Sequence, residues 1–192
     1  MTVAGDDGLV RCAWAVGTPD YVGYHDDEWG RPVHGDGALF ERLTLEAFQS
    51  GLSWITILRK RPAFREAFHG FDPERVSAYD DTDVARLLAD AGIVRNRAKI
   101  EAAVANARAV VALDGGLTEL LWSFAPDPGD RRAPSGPADV PATTAESTAM
   151  AKELKRRGFR FVGPTTAYAL MQATGMVDDH LADCWRRGAP GP

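Results

Sequence analysis

A carboxylate stands among several aromatic residues in the first third of the sequence. Glu46 lies between Leu45 and Ala47 in an apolar stretch, so exposure to solvent does not readily explain it. The aromatic residues near it in sequence are Trp14, Tyr21, Tyr24, Trp29 and Trp54. Aromatic clusters usually belong to a hydrophobic core. Rings around a carboxylate would also suit a flat, cationic purine, which could stack on the rings and donate its exocyclic amine to the acid.

Two pairs of potential metal ligands lie near opposite ends of the chain. Cys12 and His25 form the first pair, and His180 and Cys184 are four residues apart, which would place them on one face of a helix. Cysteine and histidine are the ligands that tetrahedral zinc prefers, and a closed set of four indicates a structural ion. The spacing matches no standard zinc finger. On spacing alone, two ordinary thiols and two ordinary histidines are the simpler interpretation.

The segment from 84 to 106 predicts two helices joined by a tight turn at Gly92. Arg95, Arg97 and Lys99 follow this turn. A helix-hairpin-helix element of this kind points backbone N–H groups and basic side chains at a nucleic-acid phosphate. A glycine between two helices is more often only the end of the first helix, and the basic residues favour DNA binding modestly.

The elements that must hold these residues in place are helices. Apolar residues recur at helical spacing, and sustained two-residue alternation is missing from the sequence, which predicts an all-α fold. A mostly buried helix over 38–50 carries Glu46 and should end at Gly51, and a long core helix covers 96–113. Further helices are predicted to begin near Asp72-Pro73, Asp81, Thr143 and Pro164. The proline-rich stretch over 126–145 predicts a surface loop.

Composition limits the classes of protein to which the chain could belong. Its 192 residues suffice for one compact domain or two small lobes around a cleft, and two cysteines are too few for a secreted disulfide scaffold. No signal peptide or membrane-spanning run is evident in the sequence, so we expect a soluble, cytoplasmic protein without a membrane partner. A net charge of −5 argues against non-specific coating of nucleic acid but does not exclude DNA binding.

Several collinear blocks of sequence resemble the 3-methyladenine DNA glycosylase I family, within the helix-hairpin-helix DNA glycosylase superfamily. They are RCAW (11–14), YHDDEWG (24–30), LEAFQSGLSWITIL (45–58), DAGIVRNRAKI (90–100), LWSF (121–124), KRRGFRFVGPTTAYALMQATG (155–175) and Asp179-His180. Together they are far more specific than any single motif above. The resemblance implies a glycosylase domain over 11–184, with an N-terminal extension over 1–10 and a C-terminal tail over 185–192.

The same resemblance implies roles for the aromatic cluster and for the cysteines and histidines. Glu46 corresponds to the acid of the family's base pocket, and Ala47 stands beside it where glycine is often expected. The predicted substrate-binding residues are Trp14, Tyr21, Tyr24 and Trp54. The predicted ligands of one structural zinc are Cys12, His25, His180 and Cys184. Such an ion would join the two ends of the chain.

The implied partner is double-stranded DNA that contains alkylated bases, bound by a monomer. Gly51 and Leu52 match the family's wedge, which enters the space left by a flipped nucleotide. Gly92, Arg95 and Lys99 match its anchor for the DNA backbone. Methylation at N3 leaves adenine positively charged and weakens its glycosidic bond, so little acid catalysis is needed. We expect simple hydrolysis after base flipping, with Glu46 contributing recognition and electrostatic assistance.

Two other functions stay open on the sequence. A non-enzymatic helix-hairpin-helix DNA-binding protein would bind DNA without releasing bases, but it leaves the aromatic residues around Glu46 unexplained. A zinc-stabilised helical interaction protein would suit the acidic net charge, and it would lack salt-dependent binding to DNA. Release of methylated bases from DNA distinguishes the three.

Overall fold

Helices dominate the computed structural model, which describes residues 1–127, 129 and 132–188. The α-helices of these residues are α1 (Pro19–Asp27), α2 (Asp36–Gln49), α3 (Trp54–Ala67), α4 (Pro73–Ser77), α5 (Asp81–Ala89), α6 (Arg97–Val111), α7 (Gly116–Trp122), α8 (Ala145–Arg156) and α9 (Pro164–Ala173). The predicted helical class is confirmed. None of the described helices has both the length and the apolar character needed to cross a bilayer.

A short antiparallel hairpin precedes the helices. Strands β1 (Thr2–Ala4) and β2 (Val10–Cys12) pair with Thr2 opposite Cys12, and a 3₁₀ turn over Ala13–Gly17 follows. The extension over 1–10, for which no element was predicted, therefore carries β1 and the first residue of β2, and these two are the only strands among the described residues. Its Asp7 binds Arg11, which ties the hairpin together just before Cys12.

Helix α2 lies at the centre of the fold and packs against α3, α6, α7 and α9. Its residues from Leu39 to Phe48 are all buried, as expected for a helix surrounded by other helices. Rings from α2, α3 and the segment after α3 form much of the core: Phe40, Phe48, Phe64, Phe68 and Phe71. This packing fixes the position of Glu46.

Local sequence signals set most of the helix ends. Gly51 has a φ of +81°, a conformation that favours glycine, directly after α2 ends. Asp72 caps α4 by accepting hydrogen bonds from two backbone N–H groups. Helix α8 is capped by Thr144 and Ser147, and does not begin at the predicted Thr143, because Thr144 is the residue whose hydroxyl accepts the N–H of Ser147. The predicted cap was one residue early.

The proline-rich stretch over 126–145 runs between α7 and α8. Within it a 3₁₀ turn covers Pro137–Asp139, and residues 128, 130 and 131 lie outside the described residues. The carbonyl of Pro134 accepts a hydrogen bond from the N–H of Ala182. This contact joins the loop to the segment after α9 that carries two of the predicted metal ligands.

Candidate functional site

A cavity of about 180 Å³ lies between α1, α2, α3 and α9. It is lined by Trp14, Tyr21, Tyr24, Trp29, Glu46, Gln49, Trp54, Ala169 and Gln172. The structure thus brings together all five residues predicted for the base pocket. It adds residues that the sequence did not single out, of which Gln172 on α9 is more than a hundred positions from Glu46 and gave no local signal.

The aromatic walls are held by contacts between α1, α3 and the 3₁₀ turn. The hydroxyl of Tyr21 accepts a hydrogen bond of 3.1 Å from the N–H of Ile55 in the first turn of α3. Tyr24 and Trp54 have ring centroids 5.2 Å apart, and Trp14 meets Trp29 edge to face at 5.0 Å. These rings leave several faces turned towards one small space, which suits stacking on a planar ligand.

Glu46 is 7% exposed. Among the described residues we find no donor of a hydrogen bond to its carboxylate, although buried polar groups are normally paired. Burial raises the pKa of Glu46 to about 8, against the opposing charge of Arg42. The cavity therefore offers an acceptor that has no hydrogen-bond donor in the described part of the chain.

Trp54 and Tyr24, which also line the cavity, present further polar groups to it. The indole Nε1 of Trp54 is buried without a hydrogen-bond partner. Burial also raises the pKa of Tyr24, and the negative charge of Glu46 adds to that effect, so the tyrosine stays neutral. The pocket holds polar groups ready for a ligand that can both donate and accept hydrogen bonds.

The four predicted metal ligands meet at one place beside the pocket. One ligand atom from each of Cys12, His25, His180 and Cys184 lies within 4.8 Å of all the others, and all four residues are buried. The Sγ atom of Cys184 is 3.4 Å from Nε2 of His25 and 3.8 Å from Nδ1 of His180. Zinc bonds of 2.0–2.3 Å in a tetrahedron would separate sulfur and nitrogen by roughly 3.5 Å.

The surroundings of this cluster also suit a metal. Nδ1 of His25 lies 2.7 Å from Asp26, the usual way of orienting a metal-bound imidazole. The N–H of Leu181 donates to Sγ of Cys12. Hydrogen bonds from Cys12 and both histidines lower the pKa of Cys184, whereas the same contact between the two sulfurs and burial raise the pKa of Cys12. One of the two sulfurs is therefore ready to be the thiolate that a metal requires. The residues present therefore fit a structural zinc ion.

The predicted wedge residues lie at the edge of the pocket. Leu52 is 41% exposed, and its turn follows directly on α2. A second cavity, of about 320 Å³, joins this turn to the first turn of α9 and shares Glu46 with the base pocket. An exposed aliphatic side chain thus stands next to the space around Glu46.

Lys99 occupies a different position from the expected one. It is 8% exposed, and its Nζ donates hydrogen bonds to the carbonyls of Phe48, at 2.9 Å, and Ser50, at 2.5 Å. These carbonyls close the C-terminal end of α2, where a cation is favoured. The predicted contact with a DNA phosphate does not fit this geometry, because the ammonium group is already bound inside the protein.

The turn between α5 and α6 has a packing reason for its glycine. A methyl group added at Gly92 would lie 2.9 Å from Cβ of Ala63 on α3. The carbonyl of Gly92 accepts a hydrogen bond from Lys60. Arg95 is exposed. The turn therefore packs closely on α3, and of the predicted backbone-anchor residues Gly92, Arg95 and Lys99, Arg95 is the one that is exposed.

A second helical hairpin, formed by α8 and α9, was given no role in the sequence analysis. Its turn contains Phe161, which has a φ of +56° and is 45% exposed, an uncommon combination for a large side chain. The amide of Asn106 holds Arg160 in place by two hydrogen bonds. Lys152, Lys155, Arg160 and Phe161 line a cavity of about 620 Å³ at this turn. In the sequence, Gly158 and Gly163 indicate a turn between these two helices.

Comparison with known proteins agrees with this arrangement. The sequence matches the methyladenine glycosylase family over residues 14–187. It is 44% identical to DNA-3-methyladenine glycosylase 1 of Escherichia coli over 92% of this chain and 96% of that protein. It is also 44% identical to DNA-3-methyladenine glycosylase of Haemophilus influenzae, over 91% of this chain and 96% of that protein.

A solved structure gives the same result at the level of the fold. The crystal structure of a variant of 3-methyladenine DNA glycosylase I in complex with 3-methyladenine superposes with a TM-score of 0.88, at 35% identity, covering 94% of this chain and 98% of that one. Sequence identity and fold agree over nearly the whole length. The chain therefore belongs to the methyladenine glycosylase family.

Proposed function

We propose that this chain hydrolyses the N-glycosidic bond of 3-methyladenine in alkylated DNA and that Glu46 recognises the flipped base. The observation that carries the proposal is the buried carboxylate of Glu46, which lacks a hydrogen-bond donor among the described residues and lies between aromatic rings. A base methylated at N3 is cationic while it is attached to the sugar. It supplies both a positive charge and an N–H donor for the carboxylate of Glu46.

The chemistry follows from the charge of the substrate. The N3-methylated base departs as a neutral molecule, so the bond breaks without a strong acid. Glu46 in its ionised form would stabilise the cationic base and the positive charge that develops on the sugar, while water attacks the sugar carbon. The residues that line the cavity include no lysine, which is consistent with hydrolysis in place of amine attack.

We propose further that Cys12, His25, His180 and Cys184 hold one structural zinc ion. Support comes from the closeness of their ligand atoms, which lie within 4.8 Å of one another, and from their burial. A closed site of four protein ligands leaves no position for substrate. When bound, the ion would hold the segment before α1 against the segment after α9, and so it would support the wall of the pocket that contains Trp14.

For DNA we propose contacts along the turn after α2 and the hairpin of α8 and α9. Leu52 would act as the wedge, and the first turn of α9, whose N–H groups have no side-chain cap, would bind a phosphate beside it. Lys152, Lys155 and Arg160 give that hairpin a positive charge. The segment with Gly92 and Arg95 is a second candidate for backbone contact. Action on double-stranded DNA, as a monomer in the cytoplasm, is part of this proposal.

Base release tests the activity directly. Methylated duplex DNA would be incubated with the protein, and the released bases would be separated and identified by mass spectrometry. We expect free 3-methyladenine from the wild type and from Glu41→Gln, which alters another buried acid of α2 that does not line the pocket. We expect a tenfold to hundredfold slower release from Glu46→Gln, because a hydrogen bond to a charged group contributes about 1.5–3 kcal/mol.

Two outcomes would contradict the proposal in different ways. DNA binding without any base release would favour a non-enzymatic DNA-binding protein. Equal release by Glu46→Gln and the wild type would leave the activity in place but remove Glu46 from the recognition of the base.

A further inference from the structure

Arg42 and Glu46 are oppositely charged, lie one turn apart on α2 and are both buried. Side chains four positions apart on a helix are neighbours and commonly form ion pairs. Here the two groups do not pair. Nη1 of Arg42 is buried without a hydrogen-bond partner, and the carboxylate of Glu46 has no donor among the described residues.

Glu28, which follows α1, accounts for the direction that Arg42 takes. Nη2 of Arg42 donates a hydrogen bond of 2.7 Å to Oε2 of Glu28, and Nη1 of Arg61 binds the same oxygen at 2.6 Å. Arg61 in turn binds Glu41 at 2.5 Å. The ion pairs thus join Arg42, through Glu28 and Arg61, to Glu41, and none of these residues lines the pocket.

The direction of Arg42 determines whether the carboxylate of Glu46 is available to a ligand. Arg42 is the charged neighbour that acts on Glu46, and Tyr24 from α1 is held neutral beside it. The sides of the cavity formed by α3 and α9 contribute Trp54, Ala169 and Gln172, which carry no charge. If Arg42 turned to Glu46, it would bind the acceptor that the cationic base needs.

We propose that Glu28 is a positioning residue for the base pocket: it holds Arg42 away from Glu46 and thereby keeps Glu46 free for the cationic base. This inference rests on the proposed role of Glu46 in recognition. Glu28, which does not line the cavity, thus controls whether Glu46 inside the cavity is paired with Arg42. The guanidinium of Arg42 is kept from binding Glu46, so that the cationic base can bind it.

The first test measures Glu46 itself and does not depend on activity. The carboxyl carbon of Glu46 would be titrated by carbon-13 NMR in the wild type, in Glu28→Gln and in the matched control Glu41→Gln. Glu41 belongs to the same group of ion pairs, but its carboxylate accepts hydrogen bonds from Arg61 and Arg65 and not from Arg42. We expect Glu28→Gln to lower the pKa of Glu46 by about one unit or more, because Arg42 then pairs with it. Glu41→Gln should leave it unchanged.

The second test measures excision of 3-methyladenine under single-turnover conditions. Glu28→Gln should be slower than the wild type by about tenfold, the equivalent of one charged hydrogen bond diverted from the base. The double variant Glu28→Gln with Arg42→Met should recover to the rate of Arg42→Met alone, because the competing cation is gone. A purely structural role for Glu28 would make the double variant worse.

The outcomes separate this inference from the proposed function. An unchanged pKa of Glu46 in Glu28→Gln, or a double variant no faster than Glu28→Gln, would overturn the positioning role. A normal rate for Glu46→Gln together with the expected pKa shift in Glu28→Gln would instead overturn the recognition role of Glu46. If Glu28→Gln does not fold, Glu28→Asp provides the same comparison, because the shorter acid keeps its charge but withdraws from Arg42.

Discussion

Glu46 holds its proton more tightly in the folded protein than in the unfolded chain, because burial raises its pKa from 4.5 to about 8. Between these values the folded state retains a proton that the unfolded state has lost, so stability should fall as pH rises through this window. Glu46→Gln removes the effect. We expect the variant to gain stability over the wild type from pH 4.5 to pH 8, by on the order of a few kcal/mol. Urea unfolding of both proteins at the two pH values measures this gain, and an equal difference at both would contradict it.

The same titration should raise activity as pH rises, whereas it lowers stability. The ionised form of Glu46 is the one that attracts a cationic base, and the ratio kcat/KM reports the pKa of the free enzyme. We therefore expect kcat/KM for 3-methyladenine excision to rise about tenfold per pH unit below 8 and to level off above it. Glu46→Gln should lose this rise. A profile that is flat from pH 6 to 8 in the wild type would show that Glu46 does not titrate in the reaction.

Single residues also show where prediction from sequence ends. Glu46 could be placed on a buried helix among aromatic residues because the apolar spacing and the nearby rings are local features. The separation of Arg42 from Glu46 could not be predicted, because it depends on Glu28 from another element. Gln172 enters the pocket for the same kind of reason, through the packing of α9 on α2.

At the level of elements, Lys99 joins the start of α6 to the end of α2. It donates to two carbonyls there, so Lys99→Met, which keeps most of the apolar stem, should lower stability by about 2 kcal/mol. Because the ammonium group is not free for phosphate, the slope of DNA affinity against salt should stay unchanged. Arg95→Ala provides the comparison, since Arg95 is exposed. DNA affinity would be measured at several salt concentrations for both variants. A smaller salt slope for Lys99→Met than for the wild type would contradict this placement of Lys99.

The turn after α2 gives a second prediction at this level. Leu52→Ala should slow excision from duplex DNA by about tenfold, because the smaller side chain no longer fills the space left by a flipped nucleotide, which costs roughly a few kcal/mol to extrude. Excision from single-stranded DNA should change little. Val111→Ala, which truncates a similarly exposed aliphatic residue at the end of α6, serves as the control. Equal losses on both substrates would indicate a general defect and not a wedge.

Helices could be predicted more reliably than the contacts between them. The buried helix that carries Glu46 was predicted from apolar periodicity and ends just before the expected glycine, since both signals are local. Lys99 was predicted to bind a DNA phosphate because its basic side chain follows a turn in sequence, whereas the packing of α6 on α2 brings its ammonium group to two backbone carbonyls. The hairpin of α8 and α9 lies beside Leu52 for a reason that is likewise tertiary.

For the whole molecule, the main organising contact joins the two ends of the chain. The N–H of Trp185 donates to the carbonyl of Val10, and the N–H of Leu181 donates to Cys12. Sequence spacing could identify candidate ligands but could not show that residues near 12 and near 180 meet. The prediction that they meet required the resemblance to a family. The structure brings their ligand atoms within 4.8 Å of one another.

Zinc content therefore tests the organisation of the whole fold. We expect one zinc per chain by elemental analysis and loss of that metal in Cys184→Ser, because a neutral hydroxyl replaces a thiolate ligand. A metal that binds only the folded state adds to its stability, so the melting temperature should drop by about 5 °C or more. The released base should still be 3-methyladenine, since Glu46 and most of the rings around it are unaltered. His34→Gln changes a histidine outside the cluster and should keep both metal and melting temperature. A stoichiometric zinc in Cys184→Ser would show that these four residues are not its ligands.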